Sequence, residues 1–173
     1  MLEVLARAVT ALPALLDDPL ESWESLDVDY EPPRVERLWR PYESQYRLML
    51  HRIHPCETAL YHPHPWPSAV KVVSGQYEMG VSGPFLQRSM TSSAEVAKIV
   101  LFENSTYQML NPYGWHYVKP LGEPSLSIMV TGKPFDPQVY SHEDFGKKAD
   151  LKPLTDAGKI NLLRTFRRHL LFP

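Results

Sequence analysis

Tyr61-His62-Pro63-His64-Pro65-Trp66-Pro67 alternates two histidines with three prolines and a tryptophan. Its two histidines stand two positions apart, so an extended backbone points both imidazoles towards the same face. Each histidine precedes a proline, and a residue before proline is pushed towards β or polyproline II conformations. Pro63 and Pro65 also lack N–H donors, which places the segment at an edge of a sheet. The sequence therefore predicts two imidazoles side by side at the rim of a β-sheet.

A third histidine, His116, follows a turn signature later in the chain. The turn is Asn111-Pro112-Tyr113-Gly114, in which asparagine, proline and glycine each favour a change of chain direction. We expect a strand over residues 115–118, immediately after this turn. The third imidazole is therefore also predicted to lie on a strand.

Length and composition favour a single domain that is mainly β. The 173 residues are 43% hydrophobic, enough for a core, and 17 prolines argue for short strands joined by turns. The net charge of -2 gives no reason to expect a nucleic-acid or membrane partner. Cys56 is the only cysteine, which excludes an intrachain disulfide and a site built from several thiolates. With no signal-peptide pattern and no long apolar run, we expect a cytoplasmic protein.

Helical patterns at both ends frame a central run of strands. Residues 1–44 are expected to form an N-terminal helix and an irregular arm, the arm covering 20–42. About seven short strands with glycine and proline turns between them are expected over residues 45–132, which predicts a sandwich or barrel. Residues 82–94 are expected to be a polar loop within it. Residues 133–173 are expected to form a loop and a final helix packed on the barrel.

The histidine pattern resembles that of the cupin superfamily, over roughly residues 45–132. Cupins are small double-stranded β-helix (jelly-roll) barrels. Their first motif has two histidines one residue apart, then a glutamate and a glycine, and their second has a Pro-x-Gly turn before a third histidine. The residues that match are His62, His64, Gly75, Pro112, Gly114 and His116. The resemblance implies a mainly β jelly-roll barrel, here with short helical N- and C-terminal extensions, and often a homodimer.

The sequence departs from the cupin pattern at the glutamate. Its place falls near Ser68, which is a poor metal ligand, and the second turn is one residue closer to its histidine than usual. In lacking this glutamate, the sequence resembles a subset of cupins that have three histidines and no carboxylate. This subset includes thiol dioxygenases and a diketone-cleaving dioxygenase. Glu57 and Glu78 stay open as alternative fourth ligands, if the chain folds back.

Three neutral imidazoles facing into one barrel can bind a divalent metal at His62, His64 and His116. Fe(II) is favoured, with Zn, Ni, Mn or Cu as alternatives. Neutral ligands do not offset the positive charge of the metal. The uncompensated charge favours an anionic, chelating small-molecule substrate such as an enolate or a thiolate–carboxylate. The sequence thus predicts a non-haem iron dioxygenase of the diketone or thiol class. Residues expected to line the pocket are Trp66, Ser68, Tyr77, Tyr107 and Trp115.

Other interpretations of the same residues stay open. A cupin without the glutamate could be a non-catalytic ligand-binding protein or sensor, and the metal could instead serve an isomerase or lyase. The aromatic residues near the histidines could be barrel core. His51 and His54 are expected to be surface or second-shell groups and not ligands.

Overall fold

The computed structural model describes residues 1–29, 32–82, 95–136 and 152–171. The polar loop expected at 82–94, apart from Ser82, and the part of the C-terminal loop from 137 to 151 lie outside the described residues. The helices are α1 (Leu2–Leu15) and α2 (Asp156–Leu171), with a 3₁₀ turn at Leu20–Ser22. The strands are β1 (Glu24–Val28), β2 (Val35–Tyr42), β3 (Tyr46–Ile53), β4 (His62–Pro63), β5 (Ser68–Ser74), β6 (Gln76–Ser82), β7 (Glu95–Phe102), β8 (Thr106–Met109), β9 (Trp115–Pro120) and β10 (Ser125–Thr131).

Strands β3 to β10 form two antiparallel sheets in the order of a jelly roll. The larger sheet contains β3-β10-β5-β8 and the smaller sheet is β4-β9-β6-β7. β3, the first strand of this set, pairs with β10, the last, and β4 pairs with β9. The two halves of the chain therefore wind around each other, as they do in a double-stranded β-helix. The predicted fold class is confirmed.

Strands β1 and β2 extend the larger sheet beyond the eight jelly-roll strands. β1 pairs with β2, and β2 pairs with β3 along its whole length. The prediction of an irregular arm over residues 20–42 is therefore wrong. The prolines that suggested it are tolerated: Pro32 and Pro33 lie between the two strands, and Pro41 lies near the end of β2, where a missing N–H is acceptable.

The two helices pack on the outer face of the larger sheet. Their buried side chains form one cluster with the sheet, including Leu12 of α1, Phe166 of α2 and Leu50 of β3, all fully buried. Arg52 of β3 adds a polar anchor, because its Nη2 donates hydrogen bonds to Asn161 Oδ1 at 2.8 Å and to Thr165 Oγ1 at 2.7 Å in α2. In the part of the chain that the structure describes, no helix has both the length and the apolar character needed to cross a membrane.

The inner face of the larger sheet points towards the smaller sheet. Because strand side chains alternate, Leu48 and Leu50 face the helices. The alternate residues Met49, His51 and Ile53 face inwards. The inward residues of β3 lie opposite residues of β2, so the inner face continues onto this added strand. The opposed pairs are Ile53 with Val35, His51 with Arg37 and Met49 with Trp39. The added strand β2 therefore contributes to the interior of the barrel.

Candidate metal centre

The three histidines of the sequence pattern lie together at one end of the smaller sheet. His62 of edge strand β4 lies directly opposite His116 of β9, and His64 follows two residues after His62. One ligand atom from each ring lies within 4.8 Å of the others. The ring centroids form a nearly equilateral triangle with sides of 4.7, 4.9 and 5.3 Å. The edge position agrees with the missing N–H of Pro63.

The ring nitrogens are placed so that they can bind one ion. His64 Nε2 and His116 Nε2 are 2.8 Å apart. Two nitrogens that bind one ion at about 2.0–2.1 Å are about 2.8–3.0 Å apart at an octahedral angle and about 3.3–3.4 Å apart at a tetrahedral angle, so the observed separation lies at the lower end of this range. His62 Nδ1 is 3.2 Å from the Leu60 carbonyl oxygen, which only accepts; Nδ1 therefore carries the proton and Nε2 keeps a lone pair. This donor set fits a divalent metal ion.

Burial keeps the three imidazoles neutral at neutral pH. Desolvation lowers the pKa of His62, although the hydrogen bond to the Leu60 carbonyl partly opposes it. Desolvation, reinforced by the neighbouring imidazoles, holds the pKa values of His64 and His116 well below their usual range. A metal ion requires deprotonated imidazole nitrogens, and these side chains provide them without a competing proton.

Neither carboxylate considered as a fourth ligand reaches the histidines. Glu78 accepts a hydrogen bond from Tyr117 Oη at 2.6 Å and lies 3.7 Å from Lys98 Nζ. Its β6 neighbour Tyr77 belongs to the inner cluster, so Glu78 points to the other face of the sheet. Glu57 is exposed. The idea that either replaces the missing cupin glutamate is wrong, because in the described part of the chain only histidines make up the cluster.

The histidines open into a cavity of about 620 Å³ between the two sheets. Its walls are mainly apolar, with Val70 and Met129 from the larger sheet and Val118 from the smaller. Trp66 and Tyr107, two of the expected lining residues, line this cavity.

The other three expected lining residues lie outside the set that lines the cavity. Trp115 precedes His116 on β9, so strand alternation turns it to the opposite face of the sheet. Ser68 is fully buried, and its Oγ has no hydrogen-bond partner in the described structure. Tyr77 is buried behind Tyr107 and donates a hydrogen bond from its hydroxyl to Tyr107 Oη over 3.1 Å.

Tyr107 therefore presents a neutral phenol to the cavity. Burial raises the pKa of Tyr107 to about 12, and the hydrogen bond from Tyr77 only partly offsets this. Since its oxygen accepts from Tyr77, its own O–H group can donate to a ligand.

Two polar residues of the cavity wall were missed by sequence reasoning. His51 is only 6% exposed and lines the cavity, so of the two places expected for it the surface is excluded. Arg37 of β2 also lines the cavity, and its Nε donates a hydrogen bond to His51 Nε2 at 3.0 Å. Burial, with a smaller effect of the Arg37 charge, holds the pKa of His51 well below its usual value. Alternation with Met49 and Ile53 could have placed His51 inside; no comparable signal marked Arg37.

The chain is similar in structure to several solved proteins of the cupin type. KdgF from Halomonas sp. is 17% identical, with 68% of this chain and 92% of that chain covered at a TM-score of 0.46. An RmlC-like cupin from Shewanella frigidimarina is 16% identical, with 72% and 90% covered at 0.47. Hydroxypropylphosphonic acid epoxidase from S. wedmorenis is 10% identical, with 67% and 58% covered at 0.49. No protein-family model and no curated protein matches the chain.

The strand order defines the fold of this chain as a jelly roll. The mainly β jelly-roll fold that was expected from the histidine motifs is confirmed by this strand order. The function has to be argued from the chain's own site.

Proposed function

We propose that this chain is a metal-dependent enzyme of the non-haem dioxygenase type. Fe(II) is the favoured metal, with Zn, Ni, Mn or Cu as alternatives, and the substrate is a small chelating molecule of the diketone or thiol class. One observation carries the proposal: three imidazoles offer ligand atoms within 4.8 Å of one another at the wall of a cavity. Among the residues that the structure describes, no carboxylate joins the cluster, so the ligands found there are all neutral.

His62, His64 and His116 would hold the metal. When bound, the metal supplies Lewis acidity and, as Fe(II), the redox chemistry that O₂ requires. Three neutral ligands leave positions open and leave the charge of the ion uncompensated, which favours an anionic chelating ligand. The apolar cavity walls limit water around such a ligand, and the Tyr107 hydroxyl can donate a hydrogen bond to one of its oxygen atoms.

Anaerobic reconstitution with Fe(II) followed by O₂-uptake assays tests the proposal. The substrate panel should contain small β-diketones and small thiols with a carboxylate. We expect one metal ion per chain and substrate-dependent O₂ uptake, both lost in His116→Ala. Exposed His169 gives the matched control, because His169→Gln also removes an imidazole but leaves the cluster intact.

The outcomes separate the alternatives. No metal above trace after reconstitution would refute the proposal entirely. Bound metal without O₂ uptake on any member of the panel would refute the dioxygenase activity and favour a sensor, an isomerase or a lyase.

We further propose that the protein is a cytoplasmic homodimer. Strand β7 is an edge of the smaller sheet. It exposes Val96 (73%) near its start and, two residues apart on one face, Val100 (42%) and Phe102 (57%), apolar side chains that a second copy of the chain would cover. The single cysteine suits a reducing compartment. Sedimentation equilibrium should give twice the mass of one chain, with Val96→Lys shifting the protein towards the monomer. A monomer at all concentrations would refute the dimer.

A further inference from the structure

We propose that the cavity binds a chelating molecule with an extended apolar tail, and that β1 and β2, the strands added to the jelly roll, hold this tail. The tail site deepens the proposed function and rests on it in one respect, since the chelating head of the ligand is taken to bind at the three histidines. It lies on a part of the cavity wall that the eight jelly-roll strands do not supply.

The cavity is larger than a small chelating molecule needs. Its volume is about 620 Å³. A small β-diketone consists of about seven water-sized groups at roughly 30 Å³ each, and these fill about a third of that volume. Water occupies the rest of a cavity only where polar partners are available, and these walls are mainly apolar. A ligand that fills the cavity therefore carries apolar atoms beyond its chelating group.

A row of hydrocarbon side chains crosses the inner face of the larger sheet at this wall. Val28 of β1 lies directly opposite Val35 of β2, and Val35 lies directly opposite Ile53 of β3. These three residues, the apolar row, all line the cavity, and so does Pro33 from the turn between β1 and β2. Neighbouring strands are about 4.8 Å apart, so the apolar row is about 10 Å long. A strip of this length without a polar side-chain atom suits a hydrocarbon chain that lies across the strands.

An ion pair ties β1 to β2 beside the apolar row. Arg34 Nε and Nη2 donate hydrogen bonds to Asp27 Oδ1 at 2.9 Å and Asp27 Oδ2 at 2.7 Å. Asp27 precedes Val28 and Arg34 precedes Val35, so this two-point contact joins the strands next to the first two members of the row. The Asp27 N–H also donates to the Lys152 carbonyl oxygen at 2.8 Å. These contacts hold the added strands where the apolar row meets the cavity.

The next inward row, two residues along each strand, is polar. Arg37 lies opposite His51, and Arg37 Nε donates a hydrogen bond to His51 Nε2 at 3.0 Å. Desolvation chiefly lowers the pKa values of His62 and His64, and the charge of Arg37 adds to this effect. The polar row therefore lies within electrostatic range of the histidines, and the apolar row lies about 7 Å from it along the strands. A ligand with its head at the histidines can reach the apolar row with a tail of several carbon atoms.

The opposite edge of the sheet suits the head of the ligand. Tyr107 lines the cavity from β8, whereas Val28 lines it from β1, and these two strands are the opposite edges of the larger sheet. The Tyr107 hydroxyl can donate to a ligand oxygen, but the apolar row offers no donor or acceptor. Head and tail are therefore directed to different edges.

Paired probes that differ only in tail length test the inference. For Zn(II)-loaded protein the probes are pentane-2,4-dione and nonane-2,4-dione, and for metal-free protein they are 2-pentanone and 2-nonanone, which do not chelate. The longer member of each pair has four more methylene groups, and burial of each is worth about fourfold in affinity. By isothermal titration calorimetry, we therefore expect the longer member to bind about tenfold to about 250-fold more tightly.

Variants of the apolar row locate the tail. Val28→Ser and Val35→Ser each place a polar group in the row, and each should reduce the gain from the longer tail severalfold. The affinity for the shorter probe should stay unchanged. Ile160→Ser is the matched control, because it also exchanges a β-branched hydrocarbon side chain for serine, at a position of α2 that is 38% exposed. It should leave the gain intact.

A measurement on the wild-type protein needs no variant, so it decides the question even where a substituted protein does not fold. With 2-nonanone bound to metal-free protein, nuclear Overhauser effects should connect the terminal methyl group of the tail with the methyl groups of Val28 and Val35. Contacts of that methyl group with Met109, on strand β8, in place of the two valines would overturn the tail site.

The results separate the tail site from the proposed function. Protein that binds no Zn(II) but prefers 2-nonanone, with a smaller preference in Val35→Ser, refutes the metal site and supports the tail site. Protein that binds Zn(II) but binds both diones equally supports the metal site and overturns the tail site. A gain that survives undiminished in both Val28→Ser and Val35→Ser also overturns it, because the tail would then lie elsewhere.

Discussion

Three buried imidazoles should make the metal-free protein sensitive to mild acid. Desolvation holds the pKa values of His51, His64 and His116 well below their usual range in the folded protein, with nearby charges adding to the effect. In the unfolded chain the same side chains titrate near about 6.5. Between the lowered and the usual pKa values, the unfolded state therefore binds more protons than the folded state. The stability from these groups is fully present above about pH 6.5 and is lost as the pH falls.

The size of the effect follows from the number of buried imidazoles. A histidine that stays neutral in the folded state contributes a loss of about 2 kcal/mol between pH 7 and pH 5. Three such histidines give a loss of about 6 kcal/mol, and His62, whose pKa desolvation also lowers, adds to it. Domains are usually stable by only roughly 5–15 kcal/mol. The ring centroids of His64 and His116 are 4.9 Å apart, so a charge on one ring opposes protonation of the other.

Urea unfolding in the presence of a chelator at pH 7, 6 and 5 measures this loss. His116→Leu should reduce it by about 2 kcal/mol, since one buried imidazole is removed. Exposed His169 is the control, and His169→Gln should leave the pH dependence of the unfolding free energy close to that of the wild type. A free energy of unfolding that is the same at pH 7 and pH 5 would refute the reasoning, as would an undiminished loss in His116→Leu.

Two further predictions concern stability. A Cβ at Gly80 would lie 2.1 Å from Tyr117 Cε1, so Gly80→Ala should lower the free energy of unfolding by about 1–3 kcal/mol through overpacking. Most of that effect should disappear in a Tyr117→Ala background; equal effects in both backgrounds would contradict it. Phe166→Ala should cost about 3–5 kcal/mol, because Phe166 is fully buried where α2 meets the sheet. Ile160→Ala, at a position 38% exposed in the same helix, is the control, and similar losses for both variants in urea unfolding would contradict the proposed packing.

Local sequence rules predicted the conformation of the segments that carry the three histidines. Residues two apart on a strand share a face, and prolines after His62 and His64 favour the extended backbone at an edge. The turn at residues 111–114 places His116 at the start of β9, where it lies opposite His62. Each of these local features depends on a few neighbouring residues, whereas the meeting of His116 with His62 and His64 was expected from the resemblance to cupins.

The remaining parts of the site depend on pairing between distant segments. Prolines and clustered charges made β1 and β2 resemble an irregular arm, and only the pairing of β1 with β2 and of β2 with β3 shows that they are strands. The inward orientation of Arg37 follows from this register. Trp115 was assigned to the pocket because it neighbours His116, but strand alternation turns adjacent side chains to opposite faces. A single sequence does not carry the register, so the inward place of Arg37 could not be assigned from it, whereas alternation alone could have excluded Trp115.

The most direct test of the three-histidine centre is a crystal structure of Co(II)- or Zn(II)-loaded protein with anomalous diffraction at the metal edge. We expect one anomalous peak at about 2.0–2.2 Å from a ring nitrogen of each of His62, His64 and His116. A peak elsewhere, or loaded crystals with no peak between these rings, would contradict the central claim.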